Sequence, residues 1–405
     1  MHDTMSRRST AGAATTESDI DTDAPAKPKR RGRSSRLGGR DPWWARLLVI
    51  FGALLMVGSG VAVAAANILA DLLNKSVHQE SLLPEDDGGS IDGPLNMLLI
   101  GLDERADNPA AGIRADSIII VHINATHDQA YLTSIPRDSE VDIPSYPKNG
   151  YGGGREKINA AFQHGSENGG GRDGGVKLLI QTIKRLVPGI RFNAAAIVNF
   201  DGFKGLVDAL GGVRMCVDEK VTSIHIGFDK NGKYAKPYYI SPDGVVGDPI
   251  WGVTPQQYFR GCQDMTSWQA LDYCRQRELL ELEDGDYGRQ RHQQQFIKAV
   301  MQQAVKKGLS NPTKIKSIMS AAGAAFTFDG GGPKIEDWFV TLRGINPNSI
   351  VMIKTNAGKY ASARGADGSS VEILSEDSKA LLRAVRDDKV ADFAAAHSDW
   401  VSSDS

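Results

Sequence analysis

The residues with the strongest chemical character lie between Asp272 and Gln293. This stretch contains four arginines within seventeen positions and two aspartates between the arginine pairs, namely Arg275, Arg277, Asp284, Asp286, Arg289 and Arg291. Guanidinium groups bind phosphate oxygens through planar pairs of hydrogen bonds, so a cluster of them on turns is suited to anion capture. The pattern favours a phosphate or pyrophosphate site, and the alternative is a solvated, charged helix face.

Convergence of the first arginine pair requires the local helix to end. Arg275 and Arg277 are two positions apart, which separates their side chains by about 200° on a helix. The apolar spacing of SWQALDYC predicts a helix that ends near Cys274. Gly285 and Gly288 predict breaks after it, so that the backbone straightens and both guanidiniums face one ligand.

Further charged residues stand at the ends of predicted strands. In α/β sheets, ligands bind beyond strand ends, so charges from separate strands meet there. Arginines would hold the oxygens of a diphosphate, and a pair of carboxylates would hold a divalent cation such as Mg²⁺ on the same oxygens. Taken singly, each Arg–Asp pair is also common in turns. The residues concerned are Asp103, Arg105, Arg114, Asp116, Arg137 and Asp138, with Lys157 at the start of a predicted helix.

The alternation of strand and helix patterns after residue 94 predicts the fold class. Short apolar runs such as LNMLLIGL indicate buried strands, and amphipathic segments such as GVKLLIQTIKRL indicate helices. The alternation is typical of an α/β domain of the α+β three-layer type, with a central, mostly β-sheet flanked by helices. The predicted boundaries are a linker at 71–93, one domain at 94–397 and a tail at 398–405, with an irregular segment at 227–262 and a last helix over 375–397.

The N-terminal part of the chain predicts a membrane anchor. Total charge nearly cancels, with 47 basic and 49 acidic residues, but seven basic residues and no acidic one lie between Lys27 and Arg40. Residues 1–45 are therefore predicted to be a disordered basic arm, and the uncharged run around Leu47–Ala70 predicts a transmembrane helix at 46–70. Because the basic residues precede the span, the arm is expected in the cytoplasm and the domain outside the cell. The alternative is a signal peptide cleaved near Ala64–Ala66.

The three cysteines fit an extracytoplasmic domain. In an oxidising compartment, two of three cysteines are expected to pair. Cys216 and Cys262 flank a segment rich in Gly, Pro and Tyr that a disulfide would close, whereas Cys274 is predicted to be a buried free thiol. The alternative is three unpaired core cysteines.

Several of these segments together resemble a known family. The segments NMLLIGLDER, IRADSIII, LTSIPRDSEV, KINAAF, VNFDGFKGLVDALGGV, ALDYCRQR and DYGRQRHQQQF resemble, in this order, the motifs of the LytR–CpsA–Psr family of bacterial cell-wall ligases. The resemblance is strong from about residue 94 to about residue 300 and loose from there to about residue 357. The composition of the N-terminal arm and the segment RQRHQQQF are similar to those of actinobacterial members.

The resemblance implies a reaction. Such enzymes move a glycopolymer from a polyprenyl-pyrophosphate carrier onto a peptidoglycan hydroxyl as a phosphodiester, and polyprenyl phosphate leaves. The alternatives are a polyprenyl-pyrophosphate hydrolase, which uses water as the acceptor, and a regulator or transcription attenuator that binds polyprenyl phosphate without turnover. No nucleic-acid partner is expected for the arginine and aspartate site, because that site lies on the outer side of the membrane.

The resemblance also implies roles for individual residues. Asp103 and Asp116 match the carboxylates near Mg²⁺, which Mn²⁺ would also suit, and the pyrophosphate-binding arginines match Arg114, Arg137, Arg275 and Arg277. The polar rim would comprise Lys157, Asp286, Arg289 and Gln293, with Arg105 added from the strand-end pattern. The family motif has Arg-Gln at the two positions where this chain has His292-Gln293. In this chain the arginine, Arg291, stands one place earlier. Phe200 and Phe203 would line the apolar tunnel of the prenyl chain or, alternatively, belong to the core.

Overall fold

The segment Leu95–Leu102 forms the central strand of the protein. Its apolar side chains alternate between two hydrophobic clusters, since Leu98 and Ile100 belong to one and Leu95 to the other. A strand sends successive side chains to opposite faces, so both faces of the sheet are apolar and both require a cover. The computed structural model describes residues 78–102, 113–241, 244–308, 326–342 and 344–402.

Strands and helices alternate through these ranges. The strands are β1 His78–Gln79, β2 Leu95–Leu102, β3 Ala115–Ile123, β4 Ala130–Ser134, β5 Glu140–Ile143, β6 Gly154–Lys157, β7 Ala194–Val198, β8 Val213–Val217, β9 Val221–Asp229, β10 Tyr234–Ala235, β11 Tyr238–Ile240, β12 Val246–Pro249, β13 Val253–Tyr258, β14 Gly261–Met265, β15 Phe326–Asp329, β16 Val351–Lys354, β17 Ser362–Arg364 and β18 Ser370–Glu372. The α-helices are α1 Ile158–Ser166, α2 Gly171–Leu186, α3 Phe200–Ala209, α4 Ser267–Tyr273, α5 Gly285–Gly308, α6 Ile335–Leu342, α7 Glu376–Arg386 and α8 Val390–Ala396.

Seven strands form the main sheet, in the order β1-β15-β7-β2-β3-β4-β16. Strand β2 is parallel to β7, β4 is parallel to β16, and β3 is antiparallel to both β2 and β4. The C-terminal ends of β2, β7, β4 and β16 therefore lie at one edge of the sheet, where β3 begins. This edge, hereafter the site edge, is where side chains from separate segments can meet.

Helices cover both faces of the sheet. On one face, Phe162 of α1 and Leu179 of α2 pack with Leu98 and Ile100 in the larger hydrophobic cluster. On the other face, Trp338 of α6 packs in the cluster of Leu95, together with partly buried residues of α5. The predicted mixed α/β fold with a central sheet flanked by helices is thus confirmed.

The prediction of an irregular segment at 227–262 is wrong, because this region forms β-hairpins. Strand β9 pairs with β10 and β13, β11 pairs with β12, and β14 pairs with β8. The Asp229 carboxylate accepts the backbone N–H groups of Asn231 and Lys233, which stabilises the turn between β9 and β10. Most side chains of these hairpins remain at least partly exposed, so they lack the apolar alternation that marks a buried strand.

The C-terminal boundaries also differ from the prediction. The expected last helix is divided into α7 and α8 at Asp388, whose φ of 54° is left-handed and ends a helix. The Asp388 carboxylate accepts a hydrogen bond from the backbone N–H of Ala125. Trp400, in the predicted tail, is buried in the larger cluster, and Ser402 N–H donates to Met352 O. The domain therefore extends beyond residue 397.

The predicted linker is partly folded as well. Leu82 and Leu83 are buried in the larger cluster, and β1 pairs with β15. The backbone N–H groups of Leu82 and Leu83 donate to the Asp329 carboxylate at 2.7 and 2.9 Å. The folded part of the chain thus begins earlier than residue 94.

Some predicted elements lie outside the described residues. They are the basic arm 1–45 and the transmembrane helix 46–70. Among the helices that the structure describes, none combines the length and the apolar character needed to cross a bilayer.

Candidate active site

A charge cluster forms at the site edge because β3 and β4 are neighbours. Asp116 lies at the start of β3, and Arg137 follows the end of β4, so the antiparallel pairing brings them together. Arg137 Nη1 lies 2.9 Å from Asp116 Oδ1, and Arg137 Nε lies 3.6 Å from Asp138 Oδ2. Lys157, the residue directly before α1, binds the other oxygen of Asp138 at 3.0 Å.

The first turns of α5 close the cluster from the opposite side. Asp286, Arg289 and Gln293 are three and four positions apart, which places them on one face of the helix. Arg289 Nη2 lies 2.6 Å from Asp286 Oδ1 and donates to the backbone oxygen of Asp116 at 2.9 Å. Gln293 accepts the hydroxyl hydrogen of Ser117 at 2.7 Å. Helix α5 is therefore joined to the start of β3 by polar contacts.

The buried charges of the cluster stabilise one another. Burial alone would raise the pKa of Asp286, but the guanidiniums of Arg289 and Arg137 outweigh it and hold this pKa below its usual value. Burial lowers the pKa of Arg289, and the Asp286 carboxylate opposes this effect. Arg137 Nε and Arg289 Nε are buried donors without a hydrogen-bond acceptor among the described residues. The cluster therefore contains two N–H groups that no described residue satisfies, and guanidinium N–H groups are suited to anionic ligands.

Arg275 and Arg277 lie beyond the end of a helix, as they must if both guanidiniums are to face one ligand. Helix α4 ends at Tyr273, and Arg275 and Arg277 follow in turn and irregular backbone. The Arg275 guanidinium lies 4.7 Å from the ring centroid of Phe200. Arg277 pairs with Glu278 at 3.0 Å and is close enough to Asp286 to contribute to the lowering of its pKa. The expected cause was wrong, however, because Gly285 and Gly288 lie within α5 and interrupt no helix.

Not every predicted residue reaches the cluster. Arg114 is exposed, and its Nε donates to Gln163 of α1 at 2.7 Å rather than to the Asp116 carboxylate. Asp103 and Arg105 lie outside the described residues.

The structure also adds a residue that sequence reasoning missed. Tyr360 accepts the backbone N–H of Asp286 through its hydroxyl group, although it is 74 positions away in the chain. Its aromatic ring packs edge-on against Tyr287. No charge pattern surrounds Tyr360, so no local signal marked it.

An apolar cavity of about 450 Å³ opens beside the cluster. Phe200 and Phe203 of α3 both line it, with Leu99, Ile119, Ile297 and Trp338 among the other apolar residues. Phe203 also stacks on Phe296 at 3.9 Å between ring centroids and packs against a core cluster, so it serves the cavity and the core. The polar residues of the lining are Asp116, Ser117, Asn199, Arg275 and Gln293.

Arg291 and His292 belong to a second, buried cluster. Arg291 Nε lies 2.6 Å from Asp218 Oδ2, and its two terminal nitrogens pair with Glu219 and Asp284. His292 Nε2 lies 3.1 Å from Glu219 Oε1. Asp218, Glu219 and His292 are close enough to hold a metal ion, but the Arg291 guanidinium already pairs with both carboxylates. This arrangement is an ion-pair network that holds the β8–β9 turn against α5.

The structure contains the disulfide between Cys216 and Cys262. The two cysteines face each other across the antiparallel pair β8 and β14, and the bond encloses the hairpins between them. Cys274 is a buried free thiol, and burial raises its pKa well above the usual value. It is therefore protonated and unreactive at neutral pH.

Comparison with known proteins agrees with this architecture. A polyisoprenyl-teichoic acid–peptidoglycan teichoic acid transferase, TagU of Bacillus cereus, is 29% identical over 266 residues, which are 64% of this chain and 68% of that protein. The crystal structure of B. subtilis TagV matches with a TM-score of 0.50 at 19% identity, over 75% of this chain and 99% of that one. A Streptococcus agalactiae protein matches with a TM-score of 0.52 at 23% identity, over 74% and 88% of the two chains.

At these identities, the two structures show a shared fold. The family model described as LytR_cpsA_psr matches residues 61–383, which include the charge cluster, the cavity and the disulfide. The chain therefore belongs to the LytR_cpsA_psr family.

Proposed function

We propose that this protein transfers a glycopolymer from a polyprenyl-pyrophosphate carrier to a hydroxyl group of peptidoglycan. The acceptor oxygen forms a bond to the phosphorus that carries the glycan, and the bond from that phosphorus to polyprenyl phosphate breaks. The glycan is then held on the wall by a phosphodiester, and polyprenyl phosphate leaves. The name of the Bacillus cereus relative describes a transfer of this class, from a polyisoprenyl carrier to peptidoglycan.

One observation carries the proposal: the apolar cavity is lined both by Asp116 of the charge cluster and by Arg275. Its guanidinium lies over Phe200, which lines the cavity, and it has no carboxylate within ion-pair distance in the described part of the chain. A polyprenyl diphosphate has the matching chemistry, an apolar chain that ends in a strongly anionic group. The cavity would bury the chain, and the guanidiniums would hold the diphosphate at its mouth.

The remaining site residues support transfer of a phosphoryl group. Such reactions depend mainly on positioning and on stabilisation of negative charge. Arg137 and Arg289 each have a buried Nε–H group without an acceptor in the described part of the chain, and Arg277 lies close enough to Arg289 to affect its pKa. Asp116 and Asp286 hold these guanidiniums in place through ion pairs and a shared backbone contact. The acceptor hydroxyl must lose a proton, for which Asp116 and Asp103 are the candidate bases.

We extend the proposal to a divalent cation, Mg²⁺ or Mn²⁺. Asp116 lines the cavity, and its carboxylate is a suitable ligand for a hard cation, whereas Asp103 would supply the second carboxylate. The cation would neutralise charge on the diphosphate and its leaving group. Asp116→Asn should weaken Mn²⁺ binding measured by electron paramagnetic resonance as well as turnover, and unchanged Mn²⁺ binding would contradict the assignment.

Anchoring at the outer surface of the cell membrane would serve this reaction. The uncharged run 46–70 and the basic arm before it support a single span with the domain outside the cell. The disulfide between Cys216 and Cys262 supports an oxidising compartment. The anchor would hold the domain beside a substrate that is itself embedded in the bilayer.

Product analysis tests the proposed function. Purified protein is incubated with a polyprenyl-pyrophosphate glycan and peptidoglycan, and the wall polymer is analysed for a new phosphodiester. Transfer gives this phosphodiester and polyprenyl phosphate, whereas hydrolysis gives polyprenyl phosphate and a free glycan phosphate. Binding without either product would identify a regulator and overturn the proposal.

A further inference from the structure

A buried hydrogen-bond network lies directly behind the turn that carries Arg275 and Arg277. Its members are Ser223 of β9, Tyr258 of β13, Asp272 of α4 and Gln276, and none of these four residues is more than 3% exposed. Tyr258 Oη donates to Asp272 Oδ2 at 2.8 Å, and Ser223 Oγ donates to Asp272 Oδ1 at 3.0 Å. Gln276 Nε2 donates to the same Oδ1 atom at 2.7 Å.

The orientation of the Gln276 amide is fixed by its partners. Its Oε1 accepts the backbone N–H of Ile224 at 3.0 Å, and a backbone N–H only donates. Its Nε2 faces the Asp272 carboxylate, which only accepts when it is ionised. Gln276 Nε2 also lies 3.0 Å from His225 Nδ1. A carboxylate at position 276 would therefore oppose the Asp272 carboxylate while it kept the acceptor for Ile224.

The buried side chain of Gln276 constrains the backbone from which Arg275 and Arg277 extend. Gln276 is fully buried, whereas Arg275 and Arg277 on either side of it are half-buried. Helix α4 has ended at Tyr273, so residues 275–277 are free of the helical phase that would separate the arginines. The network ties Gln276 to β9 and to the end of α4. On either side of it, Arg275 lines the cavity and Arg277 lies near Asp286.

We propose that Gln276, held by Asp272, is a positioning residue that sets the direction of the Arg275–Arg277 pair. This inference rests on the proposed transfer reaction, in which those arginines hold the diphosphate. Gln276 does not touch the substrate. Misplacement of a binding group by about 1 Å reduces turnover by about 100-fold, so loss of the network should reduce turnover on that scale.

A pair of charge-changing substitutions tests the inference. Gln276→Glu places two carboxylates against each other and should lower the turnover of a polyprenyl-pyrophosphate glycan by about 100-fold. The double variant Asp272→Asn with Gln276→Glu restores a donor opposite an acceptor and should recover turnover to within about tenfold of the unsubstituted protein. Farnesol binding, which needs the cavity but no phosphate contact, should be unchanged in both variants. Gln263→Glu, the same chemical change on strand β14, is the matched control and should leave turnover unchanged.

Each outcome has one meaning. Turnover that is unaffected by Gln276→Glu, or that stays lost in the double variant, overturns the inference. If Gln276→Glu loses farnesol binding because it unfolds, Tyr258→Phe removes a single donor from Asp272 and should still lower turnover about tenfold with the cavity intact; unchanged turnover there also overturns it. An unsubstituted protein without transfer activity overturns the proposed function itself, and the positioning role falls with it.

Discussion

The guanidinium of Arg275 lies 4.7 Å from the centre of the Phe200 ring, where the charge cluster meets the apolar cavity. A cation over an aromatic face is attracted by about 0.5–1 kcal/mol at an exposed site and by more when water is excluded. The contact holds a charged group at the end of an apolar cavity without using its N–H donors. Those donors remain available to a phosphate group.

Arg275→Ala should lower transfer activity by about 100-fold to 1000-fold, the range typical for the loss of one preorganised charge-stabilising donor. Farnesol binding should persist, because the apolar lining is retained. Initial rates of phosphodiester formation and farnesol titration measure the two effects. Arg214→Ala, which removes an exposed arginine paired with Asp264 across the strand pair β8 and β14, is the control and should retain full activity. A decrease smaller than threefold for Arg275→Ala would remove this residue from the site.

Acid should destabilise the protein through Asp286. Its pKa in the folded protein is lowered, despite burial, by Arg289 and Arg137, so its contribution to stability is complete above the unfolded aspartate value of about 3.9 and is lost as the pH falls through the lower folded value. The Asp286→Asn variant should have a lower free energy of unfolding at neutral pH. Below about pH 4, that free energy should fall less steeply with decreasing pH than it does for the unsubstituted protein. Urea unfolding at several pH values measures this, and parallel curves for the two proteins would contradict it.

Filling the cavity should weaken binding of the isoprenoid chain. Ala196 on β7 lines the cavity and is nearly fully buried. Ala196→Leu would displace roughly three methylene groups of a bound chain, each worth about 0.8 kcal/mol, and should weaken farnesol binding by at least about tenfold. Met301→Leu, also in the lining, conserves volume and should leave affinity within about threefold. Equal affinities for the two variants would place the chain elsewhere.

Removal of Arg291 should unfold the protein rather than inactivate a folded one. The side chain is 5% exposed and forms ion pairs with Asp218, Glu219 and Asp284. Breaking a buried ion pair on one side leaves uncompensated charges, so Arg291→Ala should lower the free energy of unfolding by about 3–5 kcal/mol. Urea denaturation measures the change, with Arg260→Ala at an exposed surface pair as a control that should leave the midpoint unchanged. A stable but inactive Arg291→Ala protein would place this residue in the site after all.

The sequence carried much of this structure in local patterns. Strand β2 appears with the predicted bounds Leu95–Leu102, and the predicted helical segment GVKLLIQTIKRL lies within α2, because apolar periodicity is a local property of the chain. The hairpins at 227–262 were missed because their strands are short, polar and partly exposed. The same limit applies to Tyr360, whose contact with Asp286 depends on the path of the chain between them.

The two arginine pairs show what the sequence determined and what only the tertiary structure decided. The sequence determined the chemical types, their order and the family to which they belong. Helix geometry shows that residues two positions apart diverge, but the sequence did not show which of the two arginine pairs remains helical. Arg289 and Arg291 stay within α5 and diverge, one to the charge cluster and the other to Asp218. Arg275 and Arg277 leave the helix, because contacts of Gln276 with β9 and Asp272 compete with continued helical backbone, and such long-range contacts form only when the chain has folded.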